Sequence, residues 1–164
     1  MKKLFLISIL YLLAFSNQAQ NVPEGYVDLG LPSGTLWKSS NESGFYSRND
    51  AVSQFGGQLP TPHQWAELGR YCSWSWTGNG YKIQGTNGVS IFLPAAGYSD
   101  CNGNVSDIGT VGDYWVFSNV DGMSDFSFDE LDDGTLEGVL EIDNPDLYGC
   151  LNLTVRLVLL NKRF

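Results

Sequence analysis

Residue types that do chemistry are sparse in this 164-residue chain, and they are poorly grouped. His63 is the single histidine, so neither a histidine-based zinc site nor a nucleophile–histidine–carboxylate triad of the usual form can be assembled. At the first turn of an expected helix it reads as a solvated surface residue. Glu67 lies on the same expected helix, but a general acid works on a bond held between it and a second group, and no such partner is identifiable. The chain has no glycine-rich phosphate loop ending in Lys-Ser/Thr and no Gly-x-Ser-x-Gly elbow, so its 19 glycines read as turn formers. Cys72, Cys101 and Cys150 are 29 and 49 residues apart and include no C-x-x-C pair, which argues against a cysteine metal site. These observations imply a protein that is not an enzyme and that uses no cofactor.

Binding chemistry is better represented. Trp74, Trp76, Tyr81, Tyr98, Tyr114 and Trp115 supply a large aromatic area, and aromatic rings beside Asn and Asp side chains form a stacking platform for sugars. Core packing absorbs most of such rings. In Ser73-Trp74-Ser75-Trp76 the alternation puts both tryptophans on one face of a strand, so they share one environment. No Lys or Arg occurs between Lys82 and Arg156, and Asp121, Asp125, Asp129, Glu130, Asp132, Asp133, Glu137, Glu141, Asp143 and Asp146 crowd one stretch. Carboxylates this dense repel unless they are solvated or neutralised. A solvated face is the preferred reading; calcium held by several carboxylate oxygens is the alternative, although D-x-D-x-D-G spacing is missing. Trp74, Trp76, Tyr98, Asp121, Asp125, Asp132 and Asp133 are the candidate ligand-binding residues, with the metal content left open.

The elements that position these residues can be read from local signals. The run from Tyr26 to Trp37 gives two short β-prone segments around Pro32-Ser33-Gly34. Residues 49–55 suit a short helix stopped by Gly56-Gly57. Thr61 as cap, Pro62 in the first turn and Gln64 completing a capping box predict a helix over about 62–71, with Trp65, Leu68 and Tyr71 or Cys72 on one face. Asn87-Gly88 between Tyr81-Lys82-Ile83 and Val89 to Leu93 is the strongest hairpin signal, since both turn residues tolerate positive φ. Tyr114 to Ser118, Phe126 to Phe128 and the apolar run Leu151 to Leu160 are further strands. Two early helices followed by strands make an α+β class with mainly antiparallel pairing.

Composition bounds the setting. Eighteen acidic against nine basic residues give a charge of −9, which excludes a nucleic-acid binder, since that needs a basic face. Apolar residues at 43% place the chain among folded proteins. Lys2 and Lys3, the apolar run Leu4 to Phe15 and the small residue Ala19 read as a cleaved secretory signal over 1–19, leaving one domain over 20–164. Twelve apolar residues cover only about 18 Å, too short for a membrane anchor. Cleavage removes both leading lysines, and the expectation is an exported protein, periplasmic, cell-surface or secreted, with no membrane insertion. Its cysteines read as buried structural thiols, or as one bridge with one thiol left over.

The blocks Gly25-Tyr26-Val27-Asp28-Leu29-Gly30-Leu31-Pro32-Ser33-Gly34-Thr35-Leu36-Trp37, Leu59-Pro60-Thr61 with Trp65 and Glu67-Leu68, Cys72 to Thr77, Gly80-Tyr81, Ser90 to Tyr98, Gly112, Tyr114-Trp115 and Val155-Arg156-Leu157-Val158 occur in order. In these the chain resembles the Fibrobacter succinogenes major paralogous domain family over nearly all of 20–164. The resemblance implies a C-type lectin-like fold, similar to sulfatase-modifying-factor domains, in secreted or surface-associated proteins of Bacteroidetes. It implies no catalytic residues, and the cysteine pair of formylglycine-generating relatives does not map onto Cys72, Cys101 or Cys150. Two departures stand out. The insertion before the first helix shrinks to 41–49, and the acidic stretch 121–146 replaces a short run. The functional expectation is a non-catalytic binding module that displays loops to a surface glycan or protein; the alternative is a structural or assembly component of a surface complex or appendage without a small-molecule ligand.

Overall fold

The computed structural model describes residues 22–118, 122–129 and 149–160. In chain order the elements are β1 (Tyr26–Asp28), β2 (Thr35–Lys38), β3 (Tyr46–Ser47), α1 (Arg48–Phe55), α2 (Pro62–Tyr71), β4 (Ser73–Trp76), β5 (Gly80–Gln84) and β6 (Ser90–Pro94). They continue with β7 (Tyr98–Ser99), β8 (Val105–Ser106), β9 (Val111–Ser118), β10 (Gly122–Asp129), β11 (Asn152–Leu153) and β12 (Val158–Leu160). The strands form small sheets in the orders β1-β2-β12, β3-β11-β7-β8, β4-β5-β6 and β10-β9, and every pairing within them is antiparallel. The expected α+β class with antiparallel pairing and two short helices is what is observed. Among the described residues no helix is long and apolar enough to cross a membrane.

Local chemistry explains both helices. Thr61 Oγ1 accepts from the Gln64 amide at 3.3 Å while Gln64 Oε1 accepts from the Thr61 amide at 2.8 Å, so the box closes both ways and α2 starts at Pro62. Trp65 and Leu68 are fully buried on its inner face, whereas Tyr71 at the last turn is exposed. Helix α1 is capped by Ser47, whose hydroxyl accepts from the Asp50 amide, and it stops at Gly56 with φ of 42°.

The ribbon β9–β10 is the wall between two apolar clusters. Tyr114, Val116, Phe126 and Phe128 face one cluster with Trp37, Trp65, Leu68, Ile83 and Leu93. Trp115 and Met123 face the other with Ala51, Leu59, Leu153, Val155 and Leu157. Strand alternation allows this only where both faces are covered, and here α2 lies on the first face, with the Trp65 ring stacked 4.0 Å from Phe126.

Two expectations need correction. The β5–β6 hairpin forms, but Gly88 alone takes positive φ, at 84°; Asn87 does not. The Gly88 amide donates to the Gly85 carbonyl and the Gly85 amide to the Val89 carbonyl, so residues 86–88 make a type I turn followed by a left-handed glycine. Asn87 is thereby freed to donate to the Asp28 carbonyl at 2.8 Å, which ties the hairpin tip to β1.

The second correction is the run Leu151 to Leu160, which is not one strand. It pairs as β11, crosses the core through residues 154–157, and pairs again as β12 in a different sheet. The crossing is held by bonds outside the two strand pairings: the Thr154 amide donates to the Asp113 carbonyl in an isolated parallel bridge to β9, the Glu42 amide to the Val155 carbonyl and the Lys38 amide to the Leu157 carbonyl. Arg156 is fully buried there and donates to the carbonyls of Lys38 at 2.7 Å and Phe92 at 2.6 Å. Burial pushes its guanidinium down to about 10, opposed by the nearby Tyr114 hydroxyl. Because β12 pairs with β2, the two ends of the described chain meet in one sheet.

Candidate functional site

Trp74 and Trp76 stand on β4, an edge strand of its sheet. The register places Trp74 opposite Ile83 and Trp76 opposite Tyr81, so both rings lie on the core side as the alternation requires, while Ser73 and Ser75 face out. Tyr81 braces both rings edge-on, at 5.5 Å from Trp74 and 5.1 Å from Trp76. The Trp74 indole N–H points back to the Leu68 carbonyl. Both tryptophans nevertheless remain half-buried, because an edge strand has no outer neighbour to cover them. Among the six aromatics singled out, Tyr81, Tyr114 and Trp115 are buried in the core, as packing demands.

The other candidates lie elsewhere. Tyr98, half-buried on β7, packs against the second cluster. Asp125 sits opposite Trp115 in the β9–β10 register, on the second-cluster side of the ribbon. The described candidates therefore divide between the two sides of the ribbon and do not form one surface. Asp121, Asp132 and Asp133 lie outside the described residues, as does most of the acidic stretch.

Asp125 has a partner that the sequence did not single out. Asp113, one register step away on the same face, hydrogen-bonds to it. Burial, then the neighbouring Asp125 charge, pushes Asp113 up to about 7. When it carries its proton, the Asp113 carboxyl can donate to the Asp125 carboxylate. The signal available in the sequence was Asp113 alternating with Trp115 inside a run that is otherwise buried.

A third feature is a cavity of about 400 Å³ lined by Pro32, Ser33, His63, Ala66, Glu67, Arg70 and Tyr71. The helical lining residues recur at helical spacing and so share one stripe of α2. The opposite wall is the turn 31–34, closed by the Gly34 amide on the Leu31 carbonyl. Glu67 fastens the two walls: Oε1 accepts from the Ser33 amide at 2.8 Å and Oε2 from the Ser33 hydroxyl at 2.5 Å. Glu67 is therefore a buried brace for the turn, and its partner, missing from sequence reasoning, is 34 residues away. His63 is exposed, as expected, but at the mouth of this cavity.

Cys101 and Cys150 form a disulfide, so the preferred reading of three buried thiols is corrected to the alternative of one bridge. Cys72 remains free and half-buried; burial, then the Glu67 charge, raises its thiol to about 11, leaving it protonated and unreactive at neutral pH. No cluster of His, Cys, Asp or Glu able to hold a metal occurs among the described residues. No family model, curated protein or solved structure matches this chain.

Proposed function

We propose that the chain is an exported, non-catalytic binding module of the C-type lectin-like kind, presenting an aromatic edge to a glycan or a protein at the cell surface. The observation that carries this reading is the pair Trp74 and Trp76, half-buried side by side on an edge strand and braced by Tyr81. Rings already fixed in orientation lose little side-chain entropy when the apolar face of a sugar stacks on them. Support for export comes from the apolar run behind Lys2 and Lys3 and from the Cys101–Cys150 bridge, a bond that persists in oxidising compartments. Support for the lectin-like kind comes from the ordered sequence blocks in which the chain resembles the major paralogous domain family. The non-catalytic reading draws on Glu67, both of whose carboxyl oxygens are engaged by Ser33.

A glycan array tests the reading. Saturable binding to particular glycans is expected, weakened about tenfold or more by Trp74→Ala combined with Trp76→Ala, each lost ring contact being worth roughly 1 kcal/mol. A stable protein partner whose binding is unaffected by the loss of Trp74 and Trp76, with no glycan signal, would instead favour a structural or assembly role in a surface complex or appendage.

A further inference from the structure

The cavity between α2 and the turn 31–34 shares no residue with the Trp74/Trp76 edge, and its lining has its own chemistry. Arg70 and His63 stand on its rim with no protein partner among the described residues; the ion pair described in this part of the chain is Lys38 with Glu42. A guanidinium offers a planar fork of donors matched to a carboxylate, and here that fork is uncommitted. Pro32, Ala66 and Tyr71 provide apolar walls, and Tyr71 is 43% exposed, so its ring is open to an occupant. Beneath them, the Ser33 amide and hydroxyl both turn toward Glu67. The volume of about 400 Å³ falls within the range of roughly 300–1,000 Å³ typical of small-molecule sites.

Charge selects among possible occupants. A neutral sugar would leave the Arg70 fork without its best acceptor. A phosphate dianion would carry more charge toward the buried Glu67 carboxylate, which one guanidinium offsets poorly. A single carboxylate on a hydroxylated ring suits this lining: a carboxylate matches the Arg70 fork, hydroxyls match the imidazole nitrogens of His63, and an apolar C–H face matches Tyr71 and Pro32.

We propose that this cavity binds a carboxylate-bearing monosaccharide, of the uronic-acid class. The proposal does not rest on the Trp74/Trp76 reading, since either site can exist without the other.

Amide chemical shifts of the full folded protein test it, with galacturonate, galactose and inorganic phosphate as probes. Galacturonate at millimolar concentration is expected to shift residues 32–33 and 63–71 saturably, with galactose and phosphate leaving them in place. Arg70→Ala should weaken galacturonate binding about tenfold or more, the loss of one charge-assisted pair, and Tyr71→Ala should weaken it less. Both residues are exposed, so their variants are expected to fold, and an unchanged amide spectrum outside α2 checks that they do. Trp74→Ala with Trp76→Ala should leave these shifts intact. Equal shifts from galactose, shifts from phosphate, no shift from galacturonate, or undiminished binding by Arg70→Ala would each overturn the proposal. Galacturonate shifts confined to β4 would overturn it while supporting the aromatic edge.

Discussion

Asp113 gives this fold one pH-dependent contribution to stability of definite sign. In the unfolded chain its carboxyl ionises near 3.8; in the folded protein burial and Asp125 hold the proton until about 7. Below the lower value it is protonated in both states and adds no pH dependence. Between the two values the unfolded chain releases the proton and the folded one retains it, so stability falls as pH rises, and above about 7 the loss is complete. The interval corresponds to at most about 4 kcal/mol, at 1.36 kcal/mol for each pH unit. Asp113→Asn keeps a donor toward Asp125 and removes the titration. Urea unfolding should show this variant gaining more on the parent protein at pH 8 than at pH 5, by roughly 2–3 kcal/mol, the part of the interval that lies between pH 5 and about 7. An equal difference at both values would show that Asp113 ionises normally in the fold.

Helix α2 is legible because the signals that start it are local: Thr61, Pro62 and Gln64 lie within four positions and the capping box closes among them, although Gln64 Nε2 also donates to Thr35 Oγ1, 29 positions away, a bond with no local signal. The β5–β6 hairpin is legible for the same reason, although its turn type is not, because Asn87 is recruited by Asp28 from 59 positions away. Distance also hid the Glu67–Ser33 brace and the break in the run Leu151 to Leu160. Nothing within that apolar run announces that residues 154–157 must leave one sheet, bury Arg156 and enter another. The candidate ligand residues fared as their spacing allowed. Trp74 and Trp76 share a face because alternation is local, while Tyr98 and Asp125 fell elsewhere because their neighbours depend on how the strands assemble.

The two strands of the β9–β10 ribbon approach each other closely at Gly112. Gly112 lies opposite Phe128 in the ribbon, and a Cβ placed there would meet the Phe128 ring at 2.1 Å. That ring is locked by Tyr81 and Tyr114, so it cannot swing aside without disturbing the first cluster. Gly112→Ala should therefore destabilise by about 1–3 kcal/mol, the usual cost of overpacking. Gly57→Ala, where nothing lies within 4 Å of the added methyl, is the matched control in a thermal melt. Equal melting temperatures for the two variants would mean the ribbon can open at this point.

At the scale of the whole molecule, small sheets and two short helices depend on distant segments being held together, and the disulfide is placed to do this. Ser99 pairs with Asn152 in the β7–β11 register, and continuing that antiparallel register by two residues brings Cys101 opposite Cys150. The turn bearing Cys101 is itself fixed by Asp100, whose carboxylate accepts from the Asn102 and Asn104 amides at 2.8 Å each. The bridge closes a separation of 49 residues that includes the β9–β10 ribbon and the acidic stretch. For a loop of that length the chain-entropy model gives about 4 kcal/mol, provided that the reduced chain is free to expand. Repulsion among the carboxylates inside the loop favours such expansion, which strengthens the case for a full effect. Cys101→Ser with Cys150→Ser should lower the melting temperature by roughly 8–16 °C for a domain of this size. A reductant should lower the parent protein by the same amount and leave the double variant unmoved, and thiol labelling of the unreduced, unfolded parent protein should mark Cys72 alone. Labelling at Cys101 or Cys150 would rule out the bridge, and a double variant that melts with the parent protein would show that β7–β11 pairing suffices without it.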